Sequence, residues 1–356
     1  ILLRLGLYQI FWLSRIPDHA VVHESVELAK RLGFGPQSGF VNGVLRNYLR
    51  ERDETVKALE ALKVEQPALG YSMPQWLYER WVKNFGVENA RKLLEWNNEP
   101  PPTFARLNTL KASPEQLAER WEKEGVRFFP RQFDWVIGDL VFELKDHPAL
   151  RSLGSFQDGW FYIQDPSTLL APALLAPMPG ETVLDLCAAP GGKTTALAAL
   201  MQNQGKVLAC DPAPARRELL RENVHRLGTT CVEVRESISP DAAATARFDK
   251  ALVDAPCSNS GVLRRRVDLR WRVKPDELDR MRATQLDLIL RAAPRLRPGG
   301  ALVYSTCSLE PEENENVIRD FLKRAPEFAL ETERRLAPFA DAIDGAYVAR
   351  VCRSNQ

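Results

Sequence analysis

Three patterns of apolar and polar positions divide the chain. In residues 1–62 apolar side chains return at helical spacing, at Val22, Val26 and Ala29, and again at Phe40, Val44 and Tyr48 beside Val41, Leu45 and Leu49. Gly33-Phe34-Gly35-Pro36 separates the two stripes, since glycine and proline both interrupt helices. This region is predicted to be all-helical, with Arg46, Arg50 and Arg52 following its second stripe. Residues 66–155 mix the two periods. Met73-Pro74-Gln75-Trp76 opens a helix, Pro100-Pro101-Pro102 stops the next one, residues 103–108 read as a strand, 114–125 as a helix and 154–164 as a further strand. From about residue 165, short apolar runs at 182–186, 206–210, 231–235, 249–253 and 301–305 alternate with helical patterns at 191–203, 213–227, 275–294 and 311–323. That alternation predicts an α/β domain over 156–356, built on a parallel, doubly wound sheet.

Composition narrows the class. The 356 residues are 45% hydrophobic and 27% charged, which suits a soluble protein with two or three cores. No apolar run is long enough to span a membrane, and the start lacks a signal-peptide pattern. The first residue is Ile1, inside the apolar run Ile1-Leu2-Leu3-Arg4-Leu5-Gly6-Leu7, so the chain is expected to open within a helix, with part of an N-terminal domain outside it. A net charge of +1 excludes a strongly basic nucleic-acid coat but leaves an RNA substrate open. The six cysteines form no CxxC pair and the four histidines are scattered, so neither a metal site nor a disulfide framework is expected. Free thiols fit a reducing cytoplasm.

The chemistry concentrates in three places. The first is the turn after the strand Thr182-Val183-Leu184-Asp185-Leu186, where Cys187-Ala188-Ala189-Pro190-Gly191-Gly192-Lys193 lets a ligand approach the backbone. A phosphate-binding P-loop would need glycine at Cys187, and the GxGxxG dinucleotide fingerprint is missing. The remaining option is S-adenosylmethionine, whose amino-acid end can use the loop amides and Asp185. Asp211 ends the next strand, twenty residues after Gly191 (211 − 191 = 20), a separation that suits a ribose diol, although it can also cap the following helix. The other two places are Asp254-Ala255-Pro256-Cys257-Ser258 and Ser305-Thr306-Cys307-Ser308, each at the predicted end of a buried strand. Two thiols at the rim of a nucleotide-type pocket point to covalent catalysis on an electrophilic ring. Cys210, Cys231 and Cys352 read as small buried hydrophobes, and Cys187 as packing within the loop.

These motifs, with Glu310-Pro311-Glu312-Glu313-Asn314 after the second thiol, resemble the Sun-type (Fmu) RNA cytosine-5 methyltransferases over nearly the whole chain. Residues 103–108 and Gln164-Asp165-Pro166-Ser167 agree with the same family. Phe40-Val41-Asn42-Gly43-Val44-Leu45-Arg46-Asn47 resembles the end of a NusB-like RNA-binding domain, a fusion that implies the bacterial small-subunit rRNA branch. The resemblance implies a Rossmann-like S-adenosylmethionine-dependent domain at 156–356, preceded by a small α+β region at 66–155 and a partial NusB-like domain at 1–62.

The implied reaction methylates carbon 5 of a cytidine in 16S rRNA, before or during subunit assembly, through a covalent cysteine–cytosine adduct. A thiolate adding to carbon 6 makes carbon 5 nucleophilic toward the sulfonium methyl. Carried over from the family, Cys307 is the nucleophile and Cys257 assists release, an assignment that spacing alone does not decide. Asp254 is expected to hydrogen-bond the cytosine edge and to lie beside the cofactor. The cofactor set is then Asp185, Cys187, Ala188, Ala189, Pro190, Gly191, Gly192, Lys193, Asp211, Arg216, Glu236 and Asp254. Glu236 stands where the family has aspartate at the end of the third strand. Arg216 matches a family arginine five residues after the ribose aspartate (216 − 211 = 5). Two further departures are Ser260 for a family threonine and Val267 for a proline.

Leu263-Arg264-Arg265-Arg266-Val267-Asp268-Leu269-Arg270-Trp271-Arg272 is the most basic stretch and follows Cys257 directly. Arg264, Arg265, Arg266 and Arg270, with Lys193, are expected to contact RNA phosphates; a solvated charged loop is the plainer alternative. The target base must leave its stack, which favours a single-stranded or loop cytidine. The overall expectation is a monomeric rRNA methyltransferase without metal or membrane. Its rivals are the same chemistry on tRNA or large-subunit rRNA, and a non-catalytic NusB-like assembly factor, which would need neither thiols at strand ends nor an intact cofactor loop.

Overall fold

The computed structural model describes residues 1–136, 138–238 and 248–355. The chain forms two compact units, Ile1–Asn84 and Phe85–Gln356.

The first unit is helical, as its apolar spacing predicts. Helices Leu2–Trp12, Asp18–Arg31 and Ser38–Arg50 bury Ile10, Val21, Val22, Ala29, Val41, Leu45 and Tyr48 in one core, and Arg52–Glu65 follows. The buried stripe of the third helix runs Val41–Leu45–Tyr48, whereas Phe40, expected inside, is exposed. Phe40 stands one position, about 100° of helix rotation, off the Val41–Leu45 row that faces the core.

The second unit holds two sheets. The smaller is antiparallel, with strands β1 (Thr103–Leu107), β2 (Arg127–Arg131), β3 (Val141–Asp146) and β4 (Phe161–Ile163) in the order β2-β3-β1-β4. Helix Pro114–Glu124 packs on it. The helix begins at a reciprocal cap between Ser113 and Gln116 and stops at Gly125 in the left-handed conformation. Trp121 is buried against Phe128, Phe142 and Phe161. The strand expected across 154–164 is corrected: Gly154–Gln157 is a helical turn, Gly159 takes φ +73°, and only Phe161–Ile163 pairs. This sheet therefore reaches past residue 155.

The larger sheet has seven strands: β5 (Thr182–Asp185), β6 (Lys206–Cys210), β7 (Val232–Arg235), β8 (Phe248–Asp254), β9 (Leu296–Thr306), β10 (Phe328–Leu336) and β11 (Ala346–Arg353). Their order is β10-β11-β9-β8-β5-β6-β7. The five strands from β9 to β7 are parallel, at the places the alternation predicts. The fully parallel sheet is corrected, because β10 and β11 join antiparallel as a hairpin at one edge. Leu184, Val253, Leu302 and Tyr304 face one core while Val183, Leu252 and Val303 face the other. Burial on both faces makes these strands continuous apolar runs. Strand order reverses between β5 and β8, and a crevice opens outside the carboxyl ends of strands at such a point.

Candidate active site

The end of β5 makes the floor of that crevice. Gly191 takes φ +107°, and a Cβ there would stand 2.8 Å from Leu220 Cδ1, so glycine is needed on both grounds. Helix Gly192–Leu200 follows at once. Thr194 Oγ1 donates to Asp185 Oδ2 at 2.7 Å, while Asp185 Oδ1 is buried with no partner. Burial pushes the Asp185 carboxyl up to about 7, against the smaller downward pull of the Thr194 hydrogen bond. Burial likewise raises Cys187 to about 12, which keeps it a thiol.

A cleft of about 210 Å³ opens here. Of the residues singled out in the sequence, Asp185, Cys187, Ala188, Ala189, Pro190, Gly192, Lys193 and Asp254 line one side, and Gly191 does not. Tyr162, Ile163, Gln164, Asp165 and Thr168 line the other, and sequence reasoning placed none of these at the site. The signal for them was the Gln164-Asp165-Pro166-Ser167 motif.

Asp211, Arg216 and Glu236 are not among the lining residues. Asp211 is buried and accepts from the Ala213 amide at 3.0 Å, leading into the next helix. Arg216 bridges it to the loop, 3.4 Å from Asp211 Oδ2 and donating to the Ala189 carbonyl. Glu236 is exposed and pairs with Arg217 at 3.4 Å.

The ends of β8 and β9 bring the other motifs together. Asp254 pairs in register with Ser305. Its Oδ1 accepts from Ser305 Oγ at 2.7 Å and its Oδ2 from Lys193 Nζ at 2.7 Å. Burial opposes the charge of Lys193, but the Asp254 carboxylate more than restores it, so the lysine titrates above its ordinary value. Just beyond, Cys257 Sγ and Cys307 Sγ lie 3.2 Å apart. The Cys307 thiol also donates to Asn259 Oδ1 at 3.2 Å, and Asn259 Nδ2 donates to the Cys257 carbonyl. The hydrogen bond with Cys307 and burial both hold Cys257 as a neutral thiol.

Beneath the thiols lies a network that the sequence did not reveal. Glu313, fully buried, accepts from the Ser258 amide at 2.8 Å, the Ser258 and Ser308 hydroxyls at 2.5 Å each, and Gln285 Nε2 at 3.0 Å. Ser258 and Ser308 each follow a cysteine, so one carboxylate ties both thiol loops. Ser260, standing for threonine, keeps a hydroxyl that accepts from the Leu309 amide at 2.9 Å. Gly261 donates from its amide to the Cys307 carbonyl and accepts from the Gly345 amide, both at 2.9 Å.

Arg264, Arg265 and Arg270, expected to contact RNA, have partners within the unit. Arg264 is buried 3.8 Å over the Trp96 ring and donates to the Pro100 carbonyl. Arg265 pairs with Asp344 at 2.6 Å and Asp165 at 2.9 Å. Arg270 is buried and donates to the Asn97 carbonyl. All of these contacts lie within the unit, which makes this basic stretch a bracket between its parts; Arg266 is exposed. Among the described residues no group of three or more His, Cys, Asp or Glu is placed to hold a metal ion, and no helix is long and apolar enough to cross a membrane.

Comparison with known proteins follows the same divisions. Residues 172–351 match the family described as 16S rRNA methyltransferase RsmB/F, residues 1–50 match the NusB family, and residues 73–134 match the ferredoxin-like domain of RsmF/B-like methyltransferases. The probable ribosomal RNA small subunit methyltransferase B of Bacillus subtilis is 39% identical over 340 residues, covering 94% of this chain and 75% of that protein. The ribosomal RNA small subunit methyltransferase B of Erwinia tasmaniensis is 35% identical, over 99% of this chain and 81% of that one. The crystal structure of PH0851 superposes with a TM-score of 0.82 at 29% identity, covering 98% of this chain and 81% of its own.

Proposed function

Because the chain belongs to the RsmB/F family of S-adenosylmethionine-dependent 16S rRNA methyltransferases, we propose that it methylates carbon 5 of one cytidine in 16S rRNA, with Cys307 as nucleophile and Cys257 as the residue that assists release. The observation that carries this reading is the 3.2 Å separation of the two sulfurs, at the ends of adjacent strands beside the cleft.

The cofactor fits the cleft. Asp185 Oδ1 and the Gln164 amide are buried polar atoms without partners, as expected of a site built for a polar ligand. Asp185, the 187–193 loop and Asp254 would hold it, with Asp211 and Arg216 toward the ribose. When bound, S-adenosylmethionine supplies the sulfonium methyl group.

The chain's own residues do the rest. Cys307, as thiolate, forms a bond to carbon 6 of the cytosine. Asp254, held by Lys193 and Ser305, hydrogen-bonds the ring edge and supports a proton at nitrogen 3, which draws electrons from carbon 6. Carbon 5 thereby becomes nucleophilic and accepts the methyl group. A base then takes the carbon 5 proton, the electron pair reforms the ring double bond, and the carbon 6–sulfur bond breaks. Cys257, a neutral thiol 3.2 Å away, can donate a hydrogen bond to the departing Cys307 sulfur. The region matched by the NusB family supports selection of the RNA.

Incubation of the protein with labelled cofactor and unmodified 16S rRNA, followed by mapping of the product, tests this reading. Cys257→Ala should accumulate an RNA–protein adduct and Cys307→Ala should form none. The opposite pattern would exchange the two roles, and no labelled cytidine would end the proposal.

A further inference from the structure

Gln164 has both ends of its amide buried without a hydrogen-bond partner, although the residue is only 8% exposed and lines the cleft. A buried amide left unpaired costs about 1–3 kcal/mol for each group, and one that also lines a cleft can be completed by a ligand bound there. The backbone holds the side chain there: the Gln164 amide donates to the Phe104 carbonyl at 3.0 Å, at the end of the small sheet. The side chain lies against the start of helix Gly192–Leu200, since a Cβ on Gly192 would stand 3.4 Å from Gln164 Nε2.

We propose that Gln164 is a specificity residue that grips the amino-acid end of S-adenosylmethionine; the inference rests on the cofactor reading above. Three observations select that end. Asp211, the ribose candidate, does not line the cleft, so the part of the ligand facing Gln164 is not the diol. The amino end of helix Gly192–Leu200 favours a carboxylate. Asp185 Oδ1, the other unpartnered atom of the cleft, is an acceptor suited to an ammonium group. A zwitterion needs a donor beside its carboxylate and an acceptor beside its ammonium, and a primary amide offers one of each whichever way it is turned.

Calorimetric titration separates this role from a packing role. S-adenosylhomocysteine carries the amino-acid end, whereas 5′-methylthioadenosine shares the nucleoside thioether but lacks it. Gln164→Met keeps the side-chain length and removes both polar atoms. Because no partner within the protein is left unpaired, the variant without ligand should melt no lower than wild type. It should bind S-adenosylhomocysteine about tenfold to a hundredfold more weakly, the loss for a hydrogen bond to a charged group. Its affinity for 5′-methylthioadenosine should be unchanged, which also reports that the variant is folded. An equal loss for both ligands, or no loss for either, overturns the inference while the cofactor reading stands. Failure of the wild-type protein to bind S-adenosylhomocysteine overturns that reading and this inference with it.

Discussion

Ser308 donates its hydroxyl to the buried carboxylate of Glu313 at 2.5 Å, and the same carboxylate takes the hydroxyl of Ser258 from the opposite loop. The two thiols therefore share one anchor lying five residues past Ser308 (313 − 308 = 5). Glu313 accepts only, whereas glutamine in its place would turn two hydrogens toward groups that now donate. Glu313→Gln is expected to destabilise the protein by about 1–3 kcal/mol in denaturant unfolding. It should also slow adduct formation by about tenfold to a hundredfold, the scale of a misplacement near 1 Å. Cofactor affinity should not change, because Glu313 does not line the cleft. An adduct rate equal to wild type would show that the network does not set the thiol geometry.

Gly261 makes a related point through the backbone. A Cβ at this position would stand 2.8 Å from the carbonyl oxygens of both Cys307 and Gly345. Neither oxygen belongs to a flexible side chain, so the loop carrying Cys307 must move. Gly261→Ala is expected to lower turnover by roughly tenfold or more, with S-adenosylhomocysteine affinity kept. Single-turnover kinetics beside a binding titration checks both halves.

The arginines after Cys257 divide into two classes by partner. Replacing Arg264 with glutamate removes a cation lying over Trp96 and buries a carboxylate beside the Pro100 carbonyl. Arg264→Glu should therefore lower stability by roughly 3 kcal/mol or more, as expected for an unpaired buried charge. Arg266 is exposed, so Arg266→Glu should leave the melting temperature within a degree or two of wild type. If Arg266 contacts a phosphate, the same variant weakens RNA binding at low salt and lowers the salt slope by about one. Unchanged RNA affinity would remove Arg266 from the interface.

This division explains where the sequence was legible. The five parallel strands are buried on both faces and stand out as apolar runs, and the motifs fall at their carboxyl ends, where chemistry gathers in such sheets. β10 was missed because Phe328-Ala329-Leu330-Glu331-Thr332-Glu333-Arg334-Arg335-Leu336 is charged and largely exposed, with no clean alternation to betray an edge strand. Phe161, Tyr162 and Ile163 suggested a longer strand, but the turn at Gly159 limits it. Arg264 and Arg265 looked free because their partners, Pro100, Asp165 and Asp344, lie 79 or more positions away. Gln164 and Glu313 sat in motifs that the sequence displays, yet their roles depend on burial and on the partners they have or lack, which no local pattern encodes.

Asp185 supplies a pH dependence with a definite sign. Its folded value is raised from 3.8 to about 7, so between those limits the native protein binds more protons than the unfolded chain. Stability of the ligand-free protein from this group is therefore fully present below about 4 and falls as pH rises through 7. Cofactor binding runs the other way. An ammonium against Asp185 Oδ1 requires the carboxylate, so below pH 7 binding must expel a proton. Affinity for S-adenosylhomocysteine should fall by up to about tenfold per pH unit below 7 and level off above it. Calorimetry at pH 6 in two buffers of different ionisation enthalpy should show release of about one proton, and at pH 8.5 almost none. Asp185→Asn should abolish that release along with most of the affinity. Proton release that persists in the asparagine variant would assign the titration to another group, and wild-type binding independent of pH would place the ammonium away from Asp185.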